Sequence, residues 1–364
     1  MKSDSPIAFV IDSLPSLGGG EKVLFAALEA FPQAEVFTLV YNASVFVGTP
    51  LANRKITISL LNKFPFVQNY HRFLLPLMPS AIEQFDLRHY DHIVSFSYAV
   101  AHGVMNYNGA RHSSYTFTPM RYAWTDLNIN GRRTRNSVLI EYLLQRFRRW
   151  DKEAASRVHQ FASISQTVSQ RIQRAYNRQA PVIYPPVETG RFHPKPTRED
   201  FYVVISRLVP YKRIDVVVRA FNQLNLPILI VGDGPEMSRL KALAKSNIKL
   251  LGFQTDEAVA DLLGSARAFV CAAEEDFGIA IVEAQAAGCP VIAYGSGGAL
   301  ETVEDGVTGL FFEEQTDGSL IEAVQKFERM QKSFLPHALA EHAKRFDKNV
   351  FLKRFSEFVE PGKI

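Results

Sequence analysis

Cysteine is nearly missing from this chain: Cys271 and Cys289 are the only two in 364 residues. A disulfide-stapled fold is excluded. Both thiols sit among apolar or small residues and no leader precedes the first strand-like run, so a reducing cytoplasm is the expected setting. Long apolar runs are missing too. Nothing approaches the ~20 residues that a membrane span requires, so any membrane contact would be peripheral. A strong charge of one sign is also lacking: 41 basic against 37 acidic residues leave +4, too weak a field to argue for nucleic acid. There is no low-complexity tract and no short repeat. What is present is core-forming material, with 47% hydrophobic and 21% charged residues, which excludes a disordered or fibrous chain. Its length is about twice that of one compact domain, so two domains are expected. The charge is unevenly spread: residues 1–180 carry 20 Lys/Arg and 12 Asp/Glu, a balance of +8, against −4 for the remainder.

Ile7 to Ile11 is a short apolar run of the buried-strand type, leading through Ser16-Leu17-Gly18-Gly19-Gly20 into a helical pattern at Glu21 to Ala30. Strand, glycine loop and helix open a doubly wound sheet. Strands are further expected at Glu35 to Val40, His92 to Ser97, Ser113 to Phe117 and Gln160 to Ile164, with a clear helix at Val138 to Arg157. Pro181, Pro185, Pro186, Pro194 and Pro196 then crowd into a stretch unsuited to helix or strand, which marks a linker. Beyond it the alternation restarts: strands at Phe201 to Ile205, Pro227 to Val231, Lys249 to Leu251, Ala268 to Cys271, Val291 to Ala293 and Leu310 to Phe312. Helices are expected at Ile214 to Leu224, Asp256 to Leu263 and Ile279 to Ala287. The spacing therefore predicts an α/β protein of two Rossmann-like domains, 1–180 and 181–345, with parallel sheets facing across a cleft. A helical segment at 346–364 would return to the first domain.

The sharpest cluster is Glu275-Asp276-Phe277-Gly278-Ile279, with Glu283 eight positions after Glu275. The first carboxylate falls in a loop after a strand and the second one to two turns into a helix. Backbone amides of Asp276, Phe277 and Gly278 stand at the positive end of that helix, an arrangement suited to an anionic, hydroxyl-rich ligand. The plainer reading is acidic decoration of a helix start. Upstream, Ser206-Arg207-Leu208-Val209-Pro210-Tyr211-Lys212-Arg213 lies between a strand and a helix. Cations are disfavoured at a helix start unless an anion is present, and a guanidinium fork with an ammonium suits a diphosphate.

Ser-Arg-x4-Lys, Gly-Asp-Gly-Pro-Glu at 232–236, Leu-Gly-Phe at 251–253, Glu-x7-Glu with Glu-Asp-Phe-Gly, and Gly-Gly-Ala-x-Glu-Thr-Val at 297–303 follow one another in order. Together they resemble the retaining nucleotide-sugar glycosyltransferases of family 4, of GT-B architecture. The first half is similar more loosely, through Gly18-Gly19-Gly20-Glu21, Asp91 to Gly103 and Thr118-Pro119-Met120-Arg121-Tyr122-Ala123-Trp124. The resemblance implies that Arg207 and Lys212 hold the donor diphosphate and that Glu283 receives the ribose hydroxyls. Glu275, with the Asp276, Phe277 and Gly278 amides beside Ile279, would hold the sugar, and Gly252 and Phe253 would meet the base. Gly19 and Gly20 would approach the donor phosphates or the acceptor with bare backbone, although a tight strand-to-helix turn also favours glycine. No Asp-x-Asp triplet occurs to hold a metal ion, so the two cations would replace it and no metal or other cofactor is expected.

One departure stands out. Where relatives commonly place a histidine ahead of the Thr-Pro-x-Arg-Tyr segment, this chain has Phe117, which cannot take a proton. His102 is the nearest substitute in sequence, with a structural role as its alternative; the departing phosphate could itself accept the acceptor's proton. The stretch from Leu60 to Pro79, with Phe64, Phe66, Tyr70 and Phe73, and the arginines 132, 133, 135, 146, 148 and 149 are apolar and basic by turns. That fits contact with an anionic membrane, on the cytoplasmic face of the inner membrane, and a saccharide or polyprenyl-diphosphate-linked acceptor; an ordinary core helix with a solvated arginine face fits as well. The Glu-Asp-Phe-Gly-Ile and Pro-Met-Arg-Tyr-Ala-Trp segments look most like bacterial mannosyltransferases using GDP-mannose. The alternatives are a catalytically silent partner that binds nucleotide sugar or lipid, and a nucleotide-sugar epimerase on the same architecture.

Overall fold

The computed structural model describes residues 6–124 and 138–360. The chain divides into two compact units, Met1–Tyr184 with Phe351–Ile364, and Pro185–Val350. Six parallel strands build the first: β1 (Ile7–Ile11), β2 (Glu35–Thr38), β3 (Ile56–Ile58), β4 (His92–Ser97), β5 (Arg111–Thr116) and β6 (Gln160–Ser163), in the order β3-β2-β1-β4-β5-β6. Six more build the second: β7 (Tyr202–Ile205), β8 (Ile228–Val231), β9 (Ile248–Gly252), β10 (Ala268–Cys271), β11 (Val291–Tyr294) and β12 (Gly309–Phe312), in the order β12-β11-β10-β7-β8-β9. Counted from its own first strand, each sheet runs 3-2-1-4-5-6, the dinucleotide-fold order. The order reverses between β1 and β4 in one unit and between β7 and β10 in the other. β3 escaped the sequence reading: Ile-Thr-Ile is a three-residue edge strand, too short to show a period.

All five residues of β1 are buried, as its unbroken apolar run demands of a central parallel strand. The helix Lys348–Val359 supplies part of the same core. Phe355 stacks on Phe351 and Phe96, with Phe9, Phe31 and Tyr115 edge-on to it. The second core gathers Tyr202, Phe221, Phe312 and Phe327 around the helix Ile214–Leu224, whose Ile214, Val216, Val217, Val218, Ala220 and Phe221 are buried.

β4 and β5 are buried despite carrying polar side chains, which satisfy one another across the ladder. His92 Nε2 lies 2.9 Å from Ser113 Oγ and His112 Nε2 lies 2.9 Å from Ser95 Oγ. Burial, with neighbouring positive groups, pushes the His92 pKa down to about 4 and that of His112 to about 3, from an ordinary 6.5. Both imidazoles thus stay neutral when folded but take up protons in the unfolded chain. Their contribution to stability is complete above pH 6.5 and declines as pH falls from there toward 4 and then 3. Denaturant midpoints measured between pH 7 and 4 are expected to fall for the parent and to fall less steeply for His112→Gln.

Candidate functional site

In the second unit the residues of interest come from loops at the carboxyl ends of the strands. After β7 the chain turns through Ser206 to Arg213, and after β8 through Gly232-Asp233-Gly234. The two turns touch backbone to backbone: Leu208 N donates to the Asp233 carbonyl at 2.9 Å. Gly232 has φ +125, and a Cβ there would collide with the Ser206 carbonyl, which explains the glycine of this motif. Gly232 N donates to the Gly252 carbonyl at 2.8 Å, which ties in the loop after β9, where Phe253 is 81% exposed.

β10 leads into Glu274 and Glu275, and Gly278, at φ +89, opens the helix Ile279–Ala286. Lys212 Nζ donates to Glu275 Oε1 at 2.5 Å, joining the loops after β7 and β10. The pair therefore bridges the point where the strand order reverses, the place at which ligands of open α/β sheets bind. Burial acts to lower the Lys212 pKa, but Glu275 outweighs it and the net direction is upward, so the ammonium is retained. Arg207 is exposed and donates to the Tyr211 hydroxyl at 3.0 Å.

Asp276 is half-buried and Ile279 begins the helix. Phe277 does not present its ring outward: it is buried edge-on against Phe346 at 5.4 Å, so only its backbone faces the loop. Glu283 is buried on the same helix with Arg191 Nη2 3.4 Å from its carboxylate, and Arg191 also donates to Asp256. Sequence reasoning missed Arg191. It lies on a three-residue turn between the linker prolines, and no spacing marks it.

Gly19, Gly20 and His102 belong to the first unit. Gly19 starts the helix Gly19–Ala30, and a Cβ on Gly20 would sit 3.6 Å from the Phe117 ring. His102 corrects an expectation. It is 2% exposed, with Nδ1 3.0 Å from Ser97 Oγ and Nε2 3.1 Å from Asp151 Oδ1. Asp151, wholly buried, also accepts from Trp124 Nε1 and the Tyr176 hydroxyl. Ser97, His102 and Asp151 have the order of a nucleophilic triad but lie sealed in the core, so His102 is a structural histidine with no path to a substrate proton. Sequence reasoning also passed over Asp12, whose signal was a charge set directly after a buried strand. Its carboxylate accepts four consecutive backbone amides, from Tyr98 to Ala101.

Of the residues expected to meet a membrane, Phe66 and Phe73 are 76% and 85% exposed, and Leu60, Phe64 and Leu77 are also exposed. Arg146 and Arg149 are exposed on the helix Val138–Ser156. Arg148 is tied down instead, donating to the Ala123 carbonyl at 2.6 Å and to Glu141 at 3.1 Å. Arg132, Arg133 and Arg135 lie outside the described residues. No helix among the described residues is long and apolar enough to cross a membrane.

Residues 188–350 match the family model described as "Glycosyl transferases group 1", so the second unit carries a domain of that family. Over an alignment of 170 positions that takes in 38% of this chain, the sequence is 34% identical to the GDP-mannose-dependent alpha-(1-6)-phosphatidylinositol monomannoside mannosyltransferase of Mycobacterium tuberculosis. The match spans 44% of that relative, less than half its length. Among solved structures, Anabaena Alr3699/HepE in complex with UDP and glucose superposes with a TM-score of 0.70 at 20% identity, over 97% of this chain and 98% of that one. Sucrose-phosphate synthase from Thermosynechococcus elongatus gives 0.76 at 18% identity, over 97% and 98%. The chain has the two-domain α/β GT-B fold of glycosyltransferases.

The loop after β11 holds Glu275 from behind. Gly298 N donates to the Glu275 carbonyl at 2.7 Å, and a Cβ on Gly298 would meet the Phe277 backbone nitrogen at 2.6 Å. Gly298→Ala is therefore expected to cost about 1–3 kcal/mol by forcing the two loops apart. Gly318→Ala, where a Cβ meets open space, is expected to be neutral. Denaturant unfolding of both variants checks this, and equal midpoints would contradict the close approach.

Proposed function

We propose that the protein is a retaining glycosyltransferase of the family 4 type. It would transfer a hexose, mannose first among those to be tested, from a nucleoside diphosphate sugar such as GDP-mannose to a saccharide or polyprenyl-diphosphate-linked acceptor. Such a step belongs to polysaccharide or glycolipid assembly. The observation that carries the reading is the Lys212–Glu275 pair at the reversal of strand order, inside the segment that matches the family model. The identity to a GDP-mannose-dependent enzyme supports mannose, while UDP in the HepE complex makes UDP-glucose the comparison donor.

In this reading the bond between the anomeric carbon and the diphosphate oxygen breaks as the acceptor oxygen bonds to that carbon. The acceptor's proton passes to the departing phosphate oxygen. Arg207 and Lys212 stabilise the charge that grows on the diphosphate, and a retained ammonium suits Lys212 to that task. Glu275 holds sugar hydroxyls, with the Asp276 to Gly278 backbone and Ile279 beside it, and Glu283 holds the ribose. Gly252 and Phe253 offer a bare turn and an exposed ring to the base. No metal takes part. The first unit takes the acceptor, and its exposed aromatic residues with Arg146 and Arg149 face an anionic membrane from the cytoplasm.

Lys212→Ala and Arg207→Ala are each expected to lower turnover about 100-fold, since one well-placed donor to developing charge is worth about 3 kcal/mol. EDTA should leave the parent rate unchanged. Activity abolished by EDTA and restored by magnesium would overturn the metal-free mechanism.

Arg146→Ser with Arg149→Ser should weaken sedimentation with anionic vesicles, by about 1 kcal/mol per charge, and leave donor affinity intact. Parent binding should fall as salt rises. Vesicle binding equal to that of the parent would return both residues to a solvated helix face.

A further inference from the structure

The first sheet has its own reversal of strand order, between β1 and β4, and it too is bridged by side chains. β1 runs on into Asp12 and Ser13, both buried, and β4 runs on into Tyr98, which is 36% exposed. The Tyr98 hydroxyl and Ser13 Oγ lie 2.5 Å apart.

Asp12 explains how Tyr98 comes to be there. One of its oxygens accepts from the amides of Tyr98 and Ala99, at 2.6 and 3.0 Å, and the other from Val100 and Ala101, at 2.5 and 2.7 Å. A carboxylate withdrawn from water is costly unless its lone pairs are filled, and four charge-assisted bonds fill them. They also turn four successive amides inward, which fixes the direction in which Tyr98 leaves the sheet.

Ser97 pairs in register with Thr116, and Phe117 N donates to the Ser97 carbonyl at 2.8 Å, so Tyr98 and Phe117 leave adjacent strands side by side. Phe117 is half-buried with its ring over Gly20. The rim of the first sheet thus offers a phenol that both donates and accepts and, at the adjacent strand exit, an aromatic residue. A pyranose presents the matching pair, hydroxyls on its edge and C–H groups on its face.

We propose that the Tyr98 hydroxyl, oriented by Ser13, recognises a neutral hydroxyl of a sugar acceptor, and that Asp12 is the positioning residue that places it. The proposal rests on the reading of the protein as a sugar transferase whose first unit takes the acceptor. Ser13 keeps the phenol from rotating away, and a sugar hydroxyl joining the pair extends a chain of bonds that polarise one another.

The test uses the full chain with GDP-mannose and UDP-glucose as donors and octyl α-D-mannoside and octyl α-D-glucoside as acceptors. Tyr98→Phe and Ser13→Ala are expected to raise the KM for the glycoside about tenfold, the worth of one hydrogen bond, with the donor KM unchanged and kcat within about twofold. Asp12→Asn turns an amide NH2 toward backbone donors, so it should raise the same KM and also lower the thermal midpoint. A merely structural Asp12 would lower the midpoint alone. If the parent transfers hexose and Tyr98→Phe keeps the parent KM for the glycoside, the proposal falls and the transferase reading stands. Donor hydrolysis that no glycoside converts to transfer also overturns the proposal by itself. A parent that turns over neither donor, with water or with glycoside, removes the transferase reading and the proposal together.

Discussion

Parallel strands cannot be joined by a tight turn, because each must be re-entered from the end where the last began. That constraint governs both units. Every crossover carries the chain back beneath the sheet, so all the strand exits emerge along one rim, and where the order reverses two adjacent exits diverge. Each reversal is spanned by polar side chains: Lys212 and Glu275 in one unit, Ser13 and Tyr98 with Asp12 behind them in the other. A sheet whose strands met through hairpins would scatter these groups to both ends.

The two bridges differ in electrostatic character. Lys212 and Glu275 are opposite full charges, partly shielded from water, and each lowers the cost of burying the other. Ser13 and Tyr98 are neutral, and the Asp12 carboxylate behind them is spent on backbone amides. A diphosphate and a sugar hydroxyl make correspondingly different demands, since one needs a fixed cation and the other a partner that can both give and receive.

Strands and helices were legible wherever burial left a mark on composition. β1, β10 and the helix Ile214–Leu224 fall on their expected residues because each is an apolar run or a 3.6-residue stripe bounded by turn chemistry. The order of motifs around Arg207, Lys212, Glu275 and Glu283 was legible for a related reason. Glycines such as Gly232, Gly278 and Gly298 are dictated locally by close backbone approach or positive φ, and so persist as readable punctuation. What could not be read was long-range pairing. Asp12 meets residues nearly ninety positions away. Arg191 meets Glu283 from inside a proline-rich linker, and Asp151 caps His102 from a helix 49 residues on. Nothing in a single residue type announces such a partner. His102 illustrates the cost: its chemistry invited a catalytic role that only its burial withdraws.

The helix Lys348–Val359 has a consequence for how the molecule comes into being. Phe355 is central to an aromatic cluster whose other members, apart from Phe351, lie between Phe9 and Tyr115. Domains generally condense in the order in which they leave the ribosome. Here the earliest strands emerge without the ring that closes their core, and the whole second unit is translated before it arrives. The nascent first unit must wait with an apolar socket open over β1 and β4, while the second, contiguous from Pro185 to Val350, can complete its own packing sooner. The unit whose synthesis begins first is therefore the last whose core residues are all available.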